Sequence, residues 1–316
     1  MRFINKLLAT FTIVGCSISY ASPWYTGPLL APAGRTVPAG HTNSELYASY
    51  INFPNAFNSD WHRIPVTAGY SEQYSLTFSH GLTKWMDFQF NFPYIYNVNL
   101  NHSYQGVGDM VTGLGLQVLR QAERSWKPNL RFVIQEVIPT GRFEQLSPSL
   151  NGTDLTGSGT YQTAFNLNFQ DSSQPMIDHY IRTRFSIGYT LPSSARAFGA
   201  NSFGGVRHTN GIIHPGDTLS VDLASEIALS QHWVAVVEGL WTSTQPSNFT
   251  GRTGRTPEGL PILFSPRAYN AALSFAPAIE YNFTENVGVI GGSWFTATGK
   301  NTLDFQTATV AINVYW

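Results

Sequence analysis

The sequence predicts an all-β fold: a closed antiparallel transmembrane β-barrel of about twelve strands, preceded by a cleaved signal peptide. Three observations predict it. Apolar and polar residues alternate with a period of two over many segments, the mark of strands whose two faces meet different surroundings. Charged residues make up only 12% of the chain and aromatics 14%, where soluble domains carry roughly 25% charge. Mean hydropathy is −0.11, and no later stretch offers the ~20 apolar residues a membrane helix needs. Strands that place apolar side chains on lipid and small polar ones on a lumen reconcile these facts, because the two faces cancel. A helical membrane protein is excluded, and so many aromatics argue against a disordered chain. The net charge of −1 gives no reason to expect a nucleic-acid partner.

Residues 1–21 read as the signal peptide. Arg2 and Lys6 supply the positive region, Leu7 to Gly15 the short apolar stretch, and Ser19 and Ala21 the small residues before the cut. Ile13-Val14-Gly15-Cys16 offers a competing lipid-attachment site at Cys16. With cleavage after Ala21 the mature chain has no cysteine, hence no disulfide framework or thiolate metal site. Residues 22–41 are rich in Pro and Gly and lie outside the strand pattern. They form a periplasmic tail or a partial plug, and 42–316 form the barrel.

The alternation is clearest in four runs. Tyr269 to Phe283 opposes Asn270 to Asn282, Phe88 to Val98 opposes Gln89 to Asn97, Tyr161 to Phe169 opposes Gln162 to Asn168, and Leu219 to Leu229 opposes Ser220 to Ala228. Extending the pattern gives strands near 44–53, 70–80, 86–98, 108–120, 129–140, 158–170, 177–190, 217–229, 231–243, 267–282, 286–298 and 301–316. The facing of 44–53, 129–140 and 231–243 is ambiguous. Connections alternate between short ones and mostly long ones, near 54–69, 99–107, 141–157, 191–216 and 244–266. Short periplasmic turns and long external loops are the asymmetry of an outer-membrane barrel. An even strand count puts both termini in the periplasm of a Gram-negative cell. Pro93 and Pro277 remove ladder donors within strands, so bulges or bends are expected there. The last strand ends Val310-Ala311-Ile312-Asn313-Val314-Tyr315-Trp316, resembling the terminal signature by which outer-membrane proteins reach their assembly machinery.

Between 106 and 141 the sequence reads Gly106-Val107-Gly108-Asp109-Met110, then Gly113-Leu114-Gly115, Pro128, and Val137-Ile138-Pro139-Thr140-Gly141. This resembles the outer-membrane proteins linked to the meta-pathway of phenol degradation, the MetA-like transporters. In that family a Gly-x-Gly-Asp opens one strand and a Pro-Thr-Gly ends the next. The resemblance implies a channel or transporter for small, often apolar or aromatic, compounds. The residues themselves point to structural work. Gly106 and Gly108 would allow a sharp re-entry from an external loop, and Asp109 would bond backbone amides at the turn. Pro139 would end a strand without wasting a donor, Thr140 completes the motif, and Gly141 would take a positive φ.

Parity puts Arg182, Arg184, Asp222, Glu226, Glu280, Gln89, Asn91, Asn166 and Asn168 on the lumen face. Charges at membrane depth are costly unless they face a lumen or pair, so these residues either guide solute or brace a narrow barrel as ion pairs. Arg207-His208-Thr209-Asn210-Gly211 loosely echoes the His-Ser core of outer-membrane lipid hydrolases, but the spacing differs and it falls in a loop. His41, His62, His80, His102, His179, His208, His214 and His232 lack metal-ligand spacing. The expectation is a monomeric, non-enzymatic barrel in contact with outer-membrane lipid. It would act as a passive channel without cofactor, with 191–216 and 244–266 as lids or receptors for outside contacts. A structural or adhesive surface barrel and a lipid hydrolase stand as the alternatives.

Overall fold

The computed structural model describes residues 23–66, 69–122, 126–176, 179–254 and 268–316; the signal peptide and Cys16 lie outside them. Twelve antiparallel strands run in chain order: β1 (Thr42–Phe57), β2 (Tyr70–Thr83), β3 (Met86–Asn99), β4 (His102–Val107 and Met110–Leu119), β5 (Asn129–Ile138), β6 (Gln162–Met176), β7 (His179–Pro192), β8 (Thr218–Ala228), β9 (Trp233–Thr244), β10 (Asn270–Phe275 and Ala278–Asn282), β11 (Val287–Lys300) and β12 (Thr302–Tyr315). Each pairs with its sequence neighbours, and β1 also pairs with β12, from Asn43 opposite Tyr315 to Phe57 opposite Thr302. The sheet therefore closes on itself and leaves no edge. The seam is tied by Thr42 N to the Trp316 carbonyl at 2.7 Å and Trp316 N to the Thr42 carbonyl at 2.9 Å.

Outside, the wall is apolar. Leu46, Leu76, Leu114, Ile187, Leu223, Val237, Ile279 and Ile312 all face away from the lumen, Leu223 with 54% and Val237 with 59% of its surface exposed. A belt of this kind around a whole molecule suits hydrocarbon rather than water. β1 has 16 residues and most other strands exceed the ~9–11 that a tilted membrane strand requires.

The expected prolines explain two irregularities. Tyr94 pairs with Val107 and Asn91 with Val111, so Phe92-Pro93 faces Gly108-Asp109-Met110, two residues against three. That bulge lies opposite the proline that cannot donate, and Gly108 N donates to the Pro93 carbonyl at 2.9 Å. β10 breaks at Ala276-Pro277, where Ala276 N turns to the Glu238 carbonyl at 2.9 Å and Ser293 N to the Pro277 carbonyl at 3.1 Å.

Three expectations need correction. Residues 99–107 are not a long loop. The chain turns at Leu100 and Asn101, with φ of 46° and 67°, and resumes pairing with β3 at once. Gly106 therefore lies within a strand and Gly108 at the bulge, not at a re-entry from a loop. Gly141 does not adopt a positive φ; its backbone is approached too closely for a side chain, as set out below. The long loops also hold structure of their own. Ala195–Phe198, Asn210–His214 and Asn248–Arg252 form a three-stranded antiparallel sheet, with Ala197, Phe203 and Ile213 buried against Phe143 and Phe249.

Candidate functional site

The lumen is crossed by residues 23–41, close to the end with the short turns. Trp24 N donates to the Gln231 carbonyl at 3.2 Å, and Asn282 Nδ2 donates to the Trp24 carbonyl at 3.0 Å. Glu280 accepts from Thr26 N at 2.8 Å and Gly27 N at 3.2 Å. Glu238 accepts from Leu30 N at 3.0 Å and from Ala31 N. Further along, Gln170 accepts from Gly34 N at 3.2 Å, Gln117 from Thr36 N at 2.8 Å, and Asp87 from Val37 N at 2.9 Å. The segment's carbonyls are met as well: Arg184 donates to Ala31 O at 3.0 Å and Gln117 to Gly34 O at 3.0 Å. A chain with no secondary structure of its own must find such partners for its backbone when buried. Here the barrel wall supplies them, largely through carboxylates, whose hydrogen bonds are the stronger kind.

Packing fixes the segment too. Leu29 lies in a buried cluster with Val234, Val236, Ala276, Ile290 and Ala311. At Gly34 a Cβ would stand 2.6 Å from the Gln170 backbone nitrogen, so only glycine lets the chain lie against β6. Arg182 sits 4.2 Å from the centre of the Tyr25 ring. Burial pushes the Tyr25 hydroxyl up to about 12.

Every lumen residue expected from parity lies on the inner wall. Arg182 donates to Glu226 from Nε at 2.6 Å and again from Nη2, and Arg184 Nε stands 3.2 Å from the same carboxylate. Glu280 holds the segment. Gln89 donates to Ser79 Oγ at 3.1 Å, Asn91 to Thr77 Oγ1 at 2.8 Å and Asn166 to Gln135 Oε1 at 3.0 Å; Asn168 accepts from Ser186 Oγ at 2.9 Å. Asp222 is buried, and its Oδ1 has no partner. Inward-facing residues that sequence reasoning missed include Glu45, Asp87, Gln117, Arg131, Gln170 and Glu238. Asp87 and Arg131 pair at 2.6 Å with 1% of each side chain exposed. Had the facing of 129–140 and 231–243 been settled, Arg131 and Glu238 would have been named.

Above the segment the bore opens into two cavities. One of about 310 Å³ lies at mid-height, lined by Gln89, Gln135, Asn166, Asn168, Ser220 and Asp222 among others, with Leu30 and Pro32 of the segment as part of its lining. The other, of about 640 Å³, lies at the long-loop end. Its lining includes Ser158, Thr160, Gln162, Thr218, Thr244, Phe203, Leu155 and Asn270, and among the described residues no charged one.

The motif residues from 106 to 141 sit beside this outer chamber and hold its wall. Thr140 Oγ1 donates to the Gly108 carbonyl at 2.7 Å and accepts from Met110 N at 3.0 Å. Asp109 accepts from Gly141 N at 3.0 Å and from both the amide and the hydroxyl of Ser158 at 2.6 Å. A Cβ on Gly141 would lie 2.6 Å from the Thr156 carbonyl oxygen. Pro139 follows directly on the end of β5. Asp109 thus reaches amides 32 and 49 residues away rather than those of its own turn.

The hydrolase echo at Arg207–Gly211 is organised differently. His208 is exposed, and the Thr209 hydroxyl donates to the Thr253 carbonyl at 2.9 Å while accepting from Val206 N at 2.9 Å. In the same loops Ser194 Oγ and His214 Nδ1 are 2.6 Å apart, with no carboxylate bound to that histidine among the described residues. No group of three potential metal ligands gathers among the described residues.

No family model and no curated protein matches the sequence. Among solved structures the chain is similar to the COG4313 outer membrane channel from Pseudomonas putida F1. The TM-score is 0.67 at 10% identity, over 91% of this chain and 100% of that one. The NanC porin follows at a TM-score of 0.47 and 9% identity, covering 86% of this chain and 98% of that one. A TodX monoaromatic hydrocarbon channel mutant gives 0.36 and 10%, covering 88% and 90%. The first likeness establishes the outer-membrane barrel fold; the other two are too loose to add to it.

Proposed function

We propose that this chain is a monomeric outer-membrane channel for passive uptake of small molecules, apolar and aromatic ones among them, with residues 23–41 acting as its plug. The observation that carries this reading is the chamber of about 640 Å³, lined among the described residues by uncharged side chains, at the long-loop end of a closed barrel with an apolar belt. Its volume suits a small organic solute, and the hydroxyls, amides and apolar side chains that line it can take polar and apolar groups alike. Two further points support it: the likeness in fold to a barrel described as an outer-membrane channel, and the 106–141 motif, which resembles that of the MetA-like transporters. Its placement next to the chamber gives the motif a role in shaping the entrance. The C-terminal strand ending at Trp316 would serve delivery to the assembly machinery, and lipid would cover the belt. No cofactor is needed, since diffusion down a gradient drives uptake.

One observation favours the structural or adhesive alternative: the segment crossing the bore. Liposome swelling with phenol-like solutes and with sugars separates the two. The channel reading expects permeation by the full chain, or by a chain lacking 23–41 if the plug stays seated in vitro. No permeation by either protein would defeat it and leave a barrel that serves the surface alone.

A further inference from the structure

We propose that Lys84 and Arg120, brought together on Trp85 at the short-turn rim, bind the phosphodiester of one anionic phospholipid from the periplasmic leaflet. This rests on the barrel's place in the outer membrane and not on the channel reading. Trp85 lies in the turn between β2 and β3, and Arg120 follows the end of β4. Gln117 N donates to the Trp85 carbonyl at 2.8 Å, and Arg120 Nη2 donates to the Lys84 carbonyl. The turn and the end of β4 are thus held as one unit. Lys84 Nζ lies 5.5 Å and Arg120 Cζ 5.4 Å from the centre of the Trp85 ring, so two positive charges share one indole. Neither has an ion pair among the described residues. Asp171, an acid of the same rim, is taken by Gln121 Nε2 at 2.6 Å.

Each part of this arrangement answers a part of a phospholipid. Like charges on one ring repel, and an anion shared between them replaces repulsion with attraction. A guanidinium offers phosphate oxygens paired N–H bonds, and an ammonium offers a compact charge. Lys84, Trp85 and Arg120 are all exposed, and an indole favours the level where headgroup meets hydrocarbon. On the outer wall beside them Leu82, Leu116 and Val118 are exposed as well, an apolar track for the acyl chains. The cations concentrate in this sector of the rim. The β4–β5 turn adds Lys127, 6.0 Å from the centre of the Trp126 ring, whereas the turns at 229–232 and 283–286 hold no lysine or arginine. A zwitterionic headgroup would bring a cation of its own against this group of charges, so an anionic one fits better.

Native mass spectrometry of the full chain released from detergent micelles tests this, with phosphatidylglycerol and phosphatidylcholine as titrants. One phosphatidylglycerol is expected to be retained saturably and in preference to phosphatidylcholine. Lys84→Gln/Arg120→Gln should weaken its retention by about tenfold or more, since each cation near an anionic lipid surface contributes about 1 kcal/mol. Lys84→Arg and, at the long-loop end, Arg196→Gln/Arg252→Gln should keep it. Should the double variant fail to fold, shown by loss of heat-modifiable gel migration, the single changes Lys84→Gln and Arg120→Gln are judged by the same criterion, each with a smaller loss. Equal retention of phosphatidylglycerol with and without the two cations, or equal retention of the two lipids, overturns the proposal. Displacement of the lipid by an equal concentration of inorganic phosphate overturns it too, by showing a site for the ion alone. Absence of flux in liposomes would remove the channel reading and leave the lipid titration standing, so the two failures are distinguishable.

Discussion

Thr140 and Gly108 lie 32 residues apart, and the threonine hydroxyl donates to the glycine carbonyl at 2.7 Å while accepting from Met110 N at 3.0 Å. One side chain thus meets both backbone groups that the bulge opposite Pro93 withdraws from the ladder. Without it the two groups would have no protein partner, and backbone groups of a wall must be satisfied by some partner.

Thr140→Val keeps the shape and removes both bonds. Two backbone groups would be stranded, each at a cost of about 1–3 kcal/mol. We expect folded stability to fall by roughly 2–4 kcal/mol, read as the midpoint shift in urea unfolding from micelles. Thr140→Ser should retain most of it. An unchanged midpoint for the valine variant would show that the bulge is satisfied in another way.

At Gly157 a Cβ would stand 2.6 Å from Asp109 Oδ1 and 2.7 Å from the Gly141 carbonyl carbon. Neither neighbour can retreat without breaking the Asp109 bonds to Gly141 and Ser158. Gly157→Ala should therefore cost about 1–3 kcal/mol by overpacking and lower the temperature of the heat-modifiable gel transition. Gly152→Ala offers a contrast: its Cβ would meet no atom within 4 Å, although its φ of 77° still makes the change unfavourable. The two losses should differ in origin: the first comes from contact with Asp109 and the Gly141 backbone, the second from the φ of 77° alone.

The buried pair of Asp87 and Arg131 invites a mutant cycle. Each side chain is 1% exposed, so Arg131→Met leaves a carboxylate stripped of water, at a cost of about 3–5 kcal/mol. Asp87→Asn combined with Arg131→Met removes both charges and should recover much of that loss. If the double variant is as unstable as the sum of the singles, the pair contributes through shape and not through charge.

These residues also show where sequence reasoning reaches and where it stops. All twelve strands were legible because lipid outside and polar groups inside impose strict alternation. The rule failed where the inside is not polar. On β9, Val234 and Val236 face inward against Leu29, so both faces read as apolar and Glu238 went unassigned. On β5 the inner face carries Asn129, Arg131 and Val133, a mixture set by the plug rather than by water. The tight turn at Leu100-Asn101 was hidden because leucine rarely takes a positive φ, and the pairing of its neighbours decides the geometry. The bonds from Asp109 to Gly141 and Ser158 span distances in sequence that no local pattern records. Of the candidate site, parity speaks only to which face a side chain takes; which acid clamps which amide depends on the path of residues 23–41.

That path leads to the last prediction. Glu238 and Glu280 together take four amides of the plug, those of Thr26, Gly27, Leu30 and Ala31. Replacing both carboxylates by glutamine keeps acceptors in place but removes the charge that strengthens these bonds. Buried charge-assisted bonds exceed neutral ones by roughly 1 kcal/mol each, and only part of the difference will be felt in a partly hydrated bore. A net loss near 1.4 kcal/mol would raise the population of the undocked plug about tenfold. Single-channel recording in planar bilayers should then show longer or more frequent open intervals for Glu238→Gln/Glu280→Gln. Deleting 23–41 should give a steadily open pore of at least the same conductance. If the deletion conducts and the double variant behaves as the parent does, the plug is held by the Leu29 cluster rather than by the acids. Leu29→Ala, expected to remove about 2–5 kcal/mol of packing, would then be the change that opens it.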